Sequence, residues 1–179
     1  MNNRERDLEI EQYYLYIALR RKKENELKEL CFRQIIRDEA KDLHLLKEKI
    51  KDIPGVWRIY KTVNARKVAP ALKLLQHRLI DEPERFAYRI DSLWKNCLLQ
   101  KQCKGERNFL IDVDCEDFPT ELIELITNGS ILVDEKILTP NGWHLICKDL
   151  DTRLLQGIPN IEVKRDDIKF VELIYNETN

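Results

Sequence analysis

The chain has 179 residues, 43% of them hydrophobic, which is enough apolar material for one core and a single domain over residues 1–179. Its 31 basic and 32 acidic residues nearly cancel, so overall charge gives no attraction to nucleic acid, and any such contact needs a local basic face. No apolar run reaches the length of a membrane span and the opening MNNRERDLEI does not read as a secretory leader, so a cytoplasmic protein without membrane contact is expected.

The aromatic and β-branched residues of QYYLYIALRR (12–21) predict a strand. The basic run Arg20, Arg21, Lys22 and Lys23 lies beside Tyr13, Tyr14 and Tyr16. It reads either as a track for a nucleic-acid backbone with stacked bases or as a solvated strand end, and the second reading is favoured. KENEL (23–27) predicts a turn, CFRQIIRD (31–38) a second strand and EAKDLHLLKEKIK (39–51) a helix. VWRIYKTVN (56–64) predicts a strand with Trp57, Ile59 and Val63 on one face and Arg58, Tyr60, Thr62 and Asn64 on the other. Arg66 follows at a helix start, a position that favours anions.

RKVAPALKLLQHRLI (66–80) carries a helical stripe of Val68, Leu72, Leu75 and Leu79, which Pro70 opens or kinks. DEPERFAYRIDSLWKNCLLQ (81–100) predicts another helix, with Asp81 and Glu84 at capping-box spacing and a stripe of Phe86, Ile90, Leu93 and Cys97. KQCKGER (101–107) predicts a loop. In RNFLIDVDCED (107–117), strand parity sets Phe109, Ile111 and Val113 on a core face. Leu110, Asp112 and Asp114 fall on the other face, and two carboxylates so placed repel unless a cation, a basic group or water separates them.

DFPTELIELI (117–126) predicts a short helix stopped by Asn128 and Gly129. ILVDEKIL (131–138) and WHLICK (143–148) predict a hairpin around TPNG, with a type I turn starting at Thr139. LDTRLLQGIP (150–159) predicts a helix, and NIEVKRDDIKFVELIY (160–175) two last strands around a tight turn at Asp166 and Asp167. This order favours an α+β fold over a doubly wound one. The odd cysteine count and the lack of CxxC spacing argue against a disulfide framework. A zinc site from Cys103, Cys115, His144 and Cys147 would lack closely paired ligands, and reduced, partly buried thiols fit better.

Three segments carry chemistry: the aspartate strand, TPNGWHLI with His144, and VKRDD with Lys164, Arg165, Asp166 and Asp167. Each alone has an ordinary reading, as an incidental DxD, a satisfied histidine and a solvated turn. Together they supply carboxylates, a histidine and cations, the groups that a metal-dependent phosphoryl-transfer site uses. If the aspartates bind metal, removing them relieves repulsion in the metal-free protein. If they cap the following helix or pair with Lys164 or Arg165, removing them destabilises it with or without metal.

FLIDVD, TPNGWHLI and EVKRDD resemble the three motifs of the archaeo-eukaryotic primase superfamily, which includes primase-polymerases. RIYKTVNARK is similar to a segment of its small phage- and plasmid-associated members, and the resemblance covers about residues 56 to 175. It implies an RRM-like mixed or antiparallel sheet packed with helices, plus an N-terminal αβ unit over about residues 1–55. It implies a metal site (Mg²⁺ or Mn²⁺) at Asp112 and Asp114 with Asp166 or Asp167, and catalytic roles for Asp112, Asp114, His144 and Asp167. Arg58, Asn64, Arg66, Thr139, Asn141, Lys164 and Arg165 are the candidates for nucleotide or nucleic-acid contact. The sequence departs from the pattern at NGWH, where Gly142 and Trp143 precede the histidine without the usual serine, and at the doubled aspartate.

The activity implied is a nucleotidyltransferase that binds a nucleoside triphosphate and starts or extends a strand on single-stranded DNA or a primer-template, with a helicase or replication partner in trans. The alternative is an inactive nucleotide- or nucleic-acid-binding module on the same fold, including a viral interaction protein.

Overall fold

The computed structural model describes residues 12–22, 28–37 and 39–177; the expected turn at KENEL and Lys23 of the basic run lie outside the described residues. Strand β1 (Gln12–Arg20) pairs antiparallel with β2 (Leu30–Ile36), which leads into helix α1 (Glu39–Glu48). β3 (Gly55–Thr62) lies on the other side of β1, and a two-residue β4 (Arg66–Lys67) pairs with the start of β1. The last strand, β9 (Ile168–Asn176), returns to pair with β3, giving the order β2-β1-β3-β9.

The alternation read in VWRIYKT is what builds this sheet's core. Trp57 and Ile59 are fully buried with Tyr16, Ala18 and Ile36 against Leu46 and Ile50. Each large apolar side chain so buried contributes roughly 1.5–3 kcal/mol. The Trp57 indole N–H donates to the Ile53 carbonyl at 3.1 Å, so its polar end is satisfied too. Val63 departs from the expected face: it lies beyond the end of β3 and packs with Leu110 and Ile146 of the second sheet. Arg20 is also buried, donating to the carbonyls of Lys28 and Pro54 with its guanidinium over Trp57. That part of the basic run is neither solvated nor available to a nucleic acid.

Helices α2 (Val68–Asp81), α3 (Pro83–Phe86) and α4 (Ile90–Leu98) form a separate packed group with Ala71, Leu93, Cys97, Leu98 and Cys103 at its centre. Pro70 sits in the first turn of α2, where its missing N–H removes no helical bond. The helix expected over 81–100 is two pieces. Asp81 ends α2, Glu82 takes the cap position of α3 without a side-chain bond, and the chain turns again before Ile90. Pro83 disfavours helical backbone at the residue before it, which is why α2 does not run on and no capping box forms.

The second sheet is built from β5 (Asn108–Val113), α5 (Thr120–Thr127), β6 (Val133–Thr139), β7 (Gly142–Lys148) and β8 (Ile161–Lys164). Its order is β6-β7-β5-β8 with every pair antiparallel. This is the βαββαβ order of an RRM-like sheet. The second helix is reduced to a single 3-10 turn at Thr152–Leu155, in place of the longer helix expected over 150–159. The fold is α+β, helices packed on antiparallel sheets.

One expectation is corrected by this pairing. The sheets do not divide near residue 55, because β3 and β9 join the N-terminal strands and leave the RRM-like sheet to residues 108–164. The last two strands flank Asp166 and Asp167 as expected, but they belong to different sheets: β8 ends one sheet, and the chain crosses at Asp166 and Asp167 to enter the other.

β5 is buried on both faces. Ile111 and Val113 pack with Leu145 and Cys147 against Leu122 of α5, while Leu110 and Ile146 face Val63 across the gap between the sheets. Among the described residues, no helix is long and apolar enough to cross a membrane.

Candidate functional site

The polar residues of β5 lie on the side that looks across this gap. A cleft of about 350 Å³ lies between the sheets, within the range of small-molecule sites. The second sheet and the crossing chain supply Asp112, Asp114, His144, Glu162, Lys164 and Asp167. The first sheet supplies Arg58, Tyr60 and Phe170, joined by Arg21, and the β6–β7 loop adds Thr139 and Asn141.

Register explains the convergence. Asp112 on β5 lies opposite His144 on β7 and opposite Glu162 on β8, while Lys164 is two residues further along β8. The Lys164 ammonium donates to Asp112 Oδ2 at 2.8 Å and lies 3.2 Å from Glu162 and 3.6 Å from Asp167. The question raised by the paired aspartates therefore has a direct answer in the structure: a basic group holds the first of them.

His144 Nε2 is 3.4 Å from Asp112 Oδ1, a longer contact than the Lys164 bond. The other ring nitrogen, Nδ1, accepts a hydrogen bond from the Phe170 backbone N–H at 3.0 Å. An Nδ1 that accepts carries no proton, so Nε2 carries it and aims an N–H at the Asp112 side of the cleft. The β3–β9 ladder slips by one residue at this point, between the pairs Ile59–Glu172 and Tyr60–Phe170. Such a bulge disrupts the ladder and frees backbone groups for other partners.

The His144 contact and the Lys164 ion pair together hold the Asp112 carboxyl down at about 2 from its ordinary 3.8, against the upward push of burial. Burial works against the Lys164 charge, but the bond to Asp112 and the neighbouring carboxylates outweigh it and raise its pKa. A carboxyl depressed in the folded state stabilises the fold above its unfolded pKa and loses that contribution as pH falls through the folded one. In chelator, wild type is therefore expected to lose roughly 2 kcal/mol between about pH 4 and pH 2 that Asp112→Asn does not lose. Urea melts across that range, with equal losses in the two proteins, would refute the assignment.

Asn64, Arg66 and Asp166 are not in the cleft, and the expectation that they border it is corrected. Arg66 is 1% exposed and makes a two-pronged pair with Asp166, at 3.0 and 2.7 Å. Lys104 adds a contact to Asp166 at 3.1 Å. The Asn64 amide accepts from the Asn108 N–H at 2.7 Å and donates to the Asn108 carbonyl at 3.2 Å and to Asp166. These bonds tie the end of β3 to the start of β5 and to the crossing chain, and burial leaves Asn64 and Arg66 no side open to a ligand. Of the doubled aspartate, Asp166 is committed to this junction and Asp167 faces the cleft. Arg165 is exposed beside the Phe109 ring, outside the cleft lining.

Arg21, Glu162 and Phe170 were not singled out by sequence as cleft residues. Parity in IEVK sets Glu162 beside Lys164 and contained the first signal. Arg21 was visible only as one member of a basic run; its guanidinium lies 6.0 Å from the Tyr60 ring centroid. The role of Phe170 rests on a backbone N–H and a bulge, for which side-chain pattern carries no signal.

Among the described residues, no three His, Cys, Asp or Glu groups stand close enough to share a metal ion as they are. Cys103 and Cys147 are buried in separate clusters, so they do not join His144 in a zinc site. The donors in the cleft are nonetheless carboxylate oxygens, the ligand type of Mg²⁺ and Mn²⁺. Three carboxylates already gather round one cation, the Lys164 ammonium. The donor set fits a hard divalent ion in chemistry, with Lys164 standing at the position of positive charge. No protein-family model, curated protein or solved structure matches this chain.

Proposed function

We propose that the cleft binds a nucleoside triphosphate together with a divalent ion and carries out primase-polymerase-like nucleotidyl transfer. The reading is carried by one observation: Asp112, His144 and Asp167, from three separate stretches of sequence, share a cleft with Arg58 on its facing wall. The RRM-like strand order around Asp112 supports it further.

Asp112, Asp114 and Asp167 would hold the ion, which when bound supplies charge neutralisation for the phosphates and activation of the attacking hydroxyl. His144, with Nδ1 fixed by Phe170, presents an Nε2–H to an anionic phosphate oxygen. Arg58 of the first sheet and Arg21 just past β1 add cationic side chains, where charge that spreads over the phosphates during transfer is stabilised. Tyr60 and Phe170, with ring centroids 6.0 Å apart in an edge-on pair, give that end an apolar floor. Thr139 and Asn141 border the cleft from the hairpin loop.

The test is incorporation of labelled nucleotides on single-stranded DNA and on a primer-template, with Mg²⁺ or Mn²⁺, beside an Asp112→Ala/Asp114→Ala control. Wild-type product that falls to background in the control is the expected result. A second reading, a nucleotide-binding module without chemistry, is favoured by the engagement of Asp112 with Lys164. It forecasts nucleotide binding with no incorporation under any ion. Absence of nucleotide binding altogether would remove both readings.

A further inference from the structure

The Lys164 ammonium occupies the centre of the acidic side of the cleft. It contacts Asp112 Oδ2 at 2.8 Å, Glu162 Oε2 at 3.2 Å and Asp167 Oδ2 at 3.6 Å. The side chain is only 26% exposed. Its backbone is fixed, because β8 pairs with β5 at Leu110. The flexible part is the four-carbon stem, which can swing without moving the strand.

We infer that Lys164 is a resident counter-ion that must leave the carboxylates before a divalent ion can bind them, so that it sets the metal affinity of this site. The inference rests on the functional reading above, which assigns a divalent ion to Asp112, Asp114 and Asp167. Magnesium needs its carboxylate oxygens at about 2.0–2.1 Å. An ammonium hydrogen-bonded to the same Asp112 oxygen would then stand beside a doubly charged ion, and like charges that close are strongly unfavourable in a partly buried site. The two occupants exclude each other.

Exclusion has a thermodynamic consequence. The free energy that holds Lys164 to the carboxylates must be given up when the ion enters, and it weakens metal binding by the same amount. Once displaced, the ammonium remains in a cleft whose facing wall carries Arg58, where a phosphate anion is the partner that suits it. Metal and an anionic ligand should therefore bind cooperatively, because the anion offers Lys164 a second place to go.

The experiment is titration of Mn²⁺, followed by the electron paramagnetic resonance of the free ion, into wild type, Lys164→Met, Lys164→Arg and Asp112→Asn. Lys164→Met is expected to bind Mn²⁺ about tenfold more tightly than wild type, or about 1.4 kcal/mol. Lys164→Arg, which keeps the charge, is expected to stay close to wild type. Asp112→Asn is expected to lose binding. Inorganic pyrophosphate is expected to tighten Mn²⁺ binding to wild type more than to Lys164→Met, measured against the affinity of pyrophosphate for Mn²⁺ alone.

Equal affinity in wild type and Lys164→Met would overturn the inference while leaving the metal reading intact. So would weaker binding in Lys164→Met, provided its circular dichroism and melting curve are those of a folded protein. Should Lys164→Met fail to fold, Lys164→Gln takes its place with the same expectation. Absence of Mn²⁺ binding in wild type and in both neutral variants would overturn the metal reading itself, and this inference with it.

Discussion

Arg66→Met is expected to cost about 1.5–3 kcal/mol of folding free energy, a large share of the stability of a domain this size. Arg66 is buried, and its removal leaves the partly buried Asp166 carboxylate with Lys104 and Asn64 as its remaining partners. Asp166 keeps Lys104 as a counter-ion, so the cost comes from the lost charge-assisted bonds and the lost packing of the buried guanidinium. Asp166→Asn is expected to cost more, about 3–5 kcal/mol, because it strands a guanidinium whose side chain is only 2% exposed. The double variant should cost clearly less than the two single costs summed, since both single changes break the same pair of bonds. Urea denaturation of the four proteins measures the cycle. Full additivity would show that the two side chains act independently and that the junction is held by other contacts.

Gly142→Ala is expected to destabilise the protein by about 1–3 kcal/mol or more and to disturb the cleft at the same time. A methyl group at this position would lie 2.0 Å from the Val113 carbonyl oxygen and 2.9 Å from the Cys115 nitrogen. Both are backbone atoms, so no side chain can rotate away. The start of β7 must part from the end of β5, and with it goes the register that sets His144 opposite Asp112. The backbone at Gly142 also has φ +157°, so a side chain there is strained apart from the clash. Thermal melting, and the chemical shifts of the His144 ring nitrogens, report the two effects separately. An alanine variant with unchanged stability and an unchanged His144 spectrum would contradict this account of the hairpin. The glycine at 142 thus has a packing cause: the chain passes too close to β5 for a side chain in that place.

The sequence by itself determined the elements that depend on local period. Alternation along VWRIYKT and NFLIDV specified two strands, and in each it assigned Trp57, Ile59, Ile111 and Val113 to a core face. The same parity set Asp112 opposite that face, and TPNG fixed the tip of the β6–β7 hairpin that carries His144 nearby. Period and turn chemistry are properties of a few consecutive residues, which is why they can be read before the chain is folded. The long helix expected over 81–100 failed on the same local scale, because the apolar stripe was given more weight than Pro83.

Only the tertiary structure decided which polar residue faces what. Asp166 and Asp167 are neighbours, and nothing local distinguishes them. Asp166 turns inward because Arg66, 100 residues earlier in the chain, lies there to meet it. Asn64 and Arg58 share a parity in the sequence, yet Asn64, past the end of β3, is sealed against Asn108 while Arg58 lines the cleft, because the second sheet closes over the end of β3. Lys164 finds Asp112 across 52 residues, and the proton on His144 is fixed by a backbone bulge 26 residues away. Burial and ion pairing are set by chain segments that meet only after folding, and a pattern of side-chain types along the sequence does not contain those meetings.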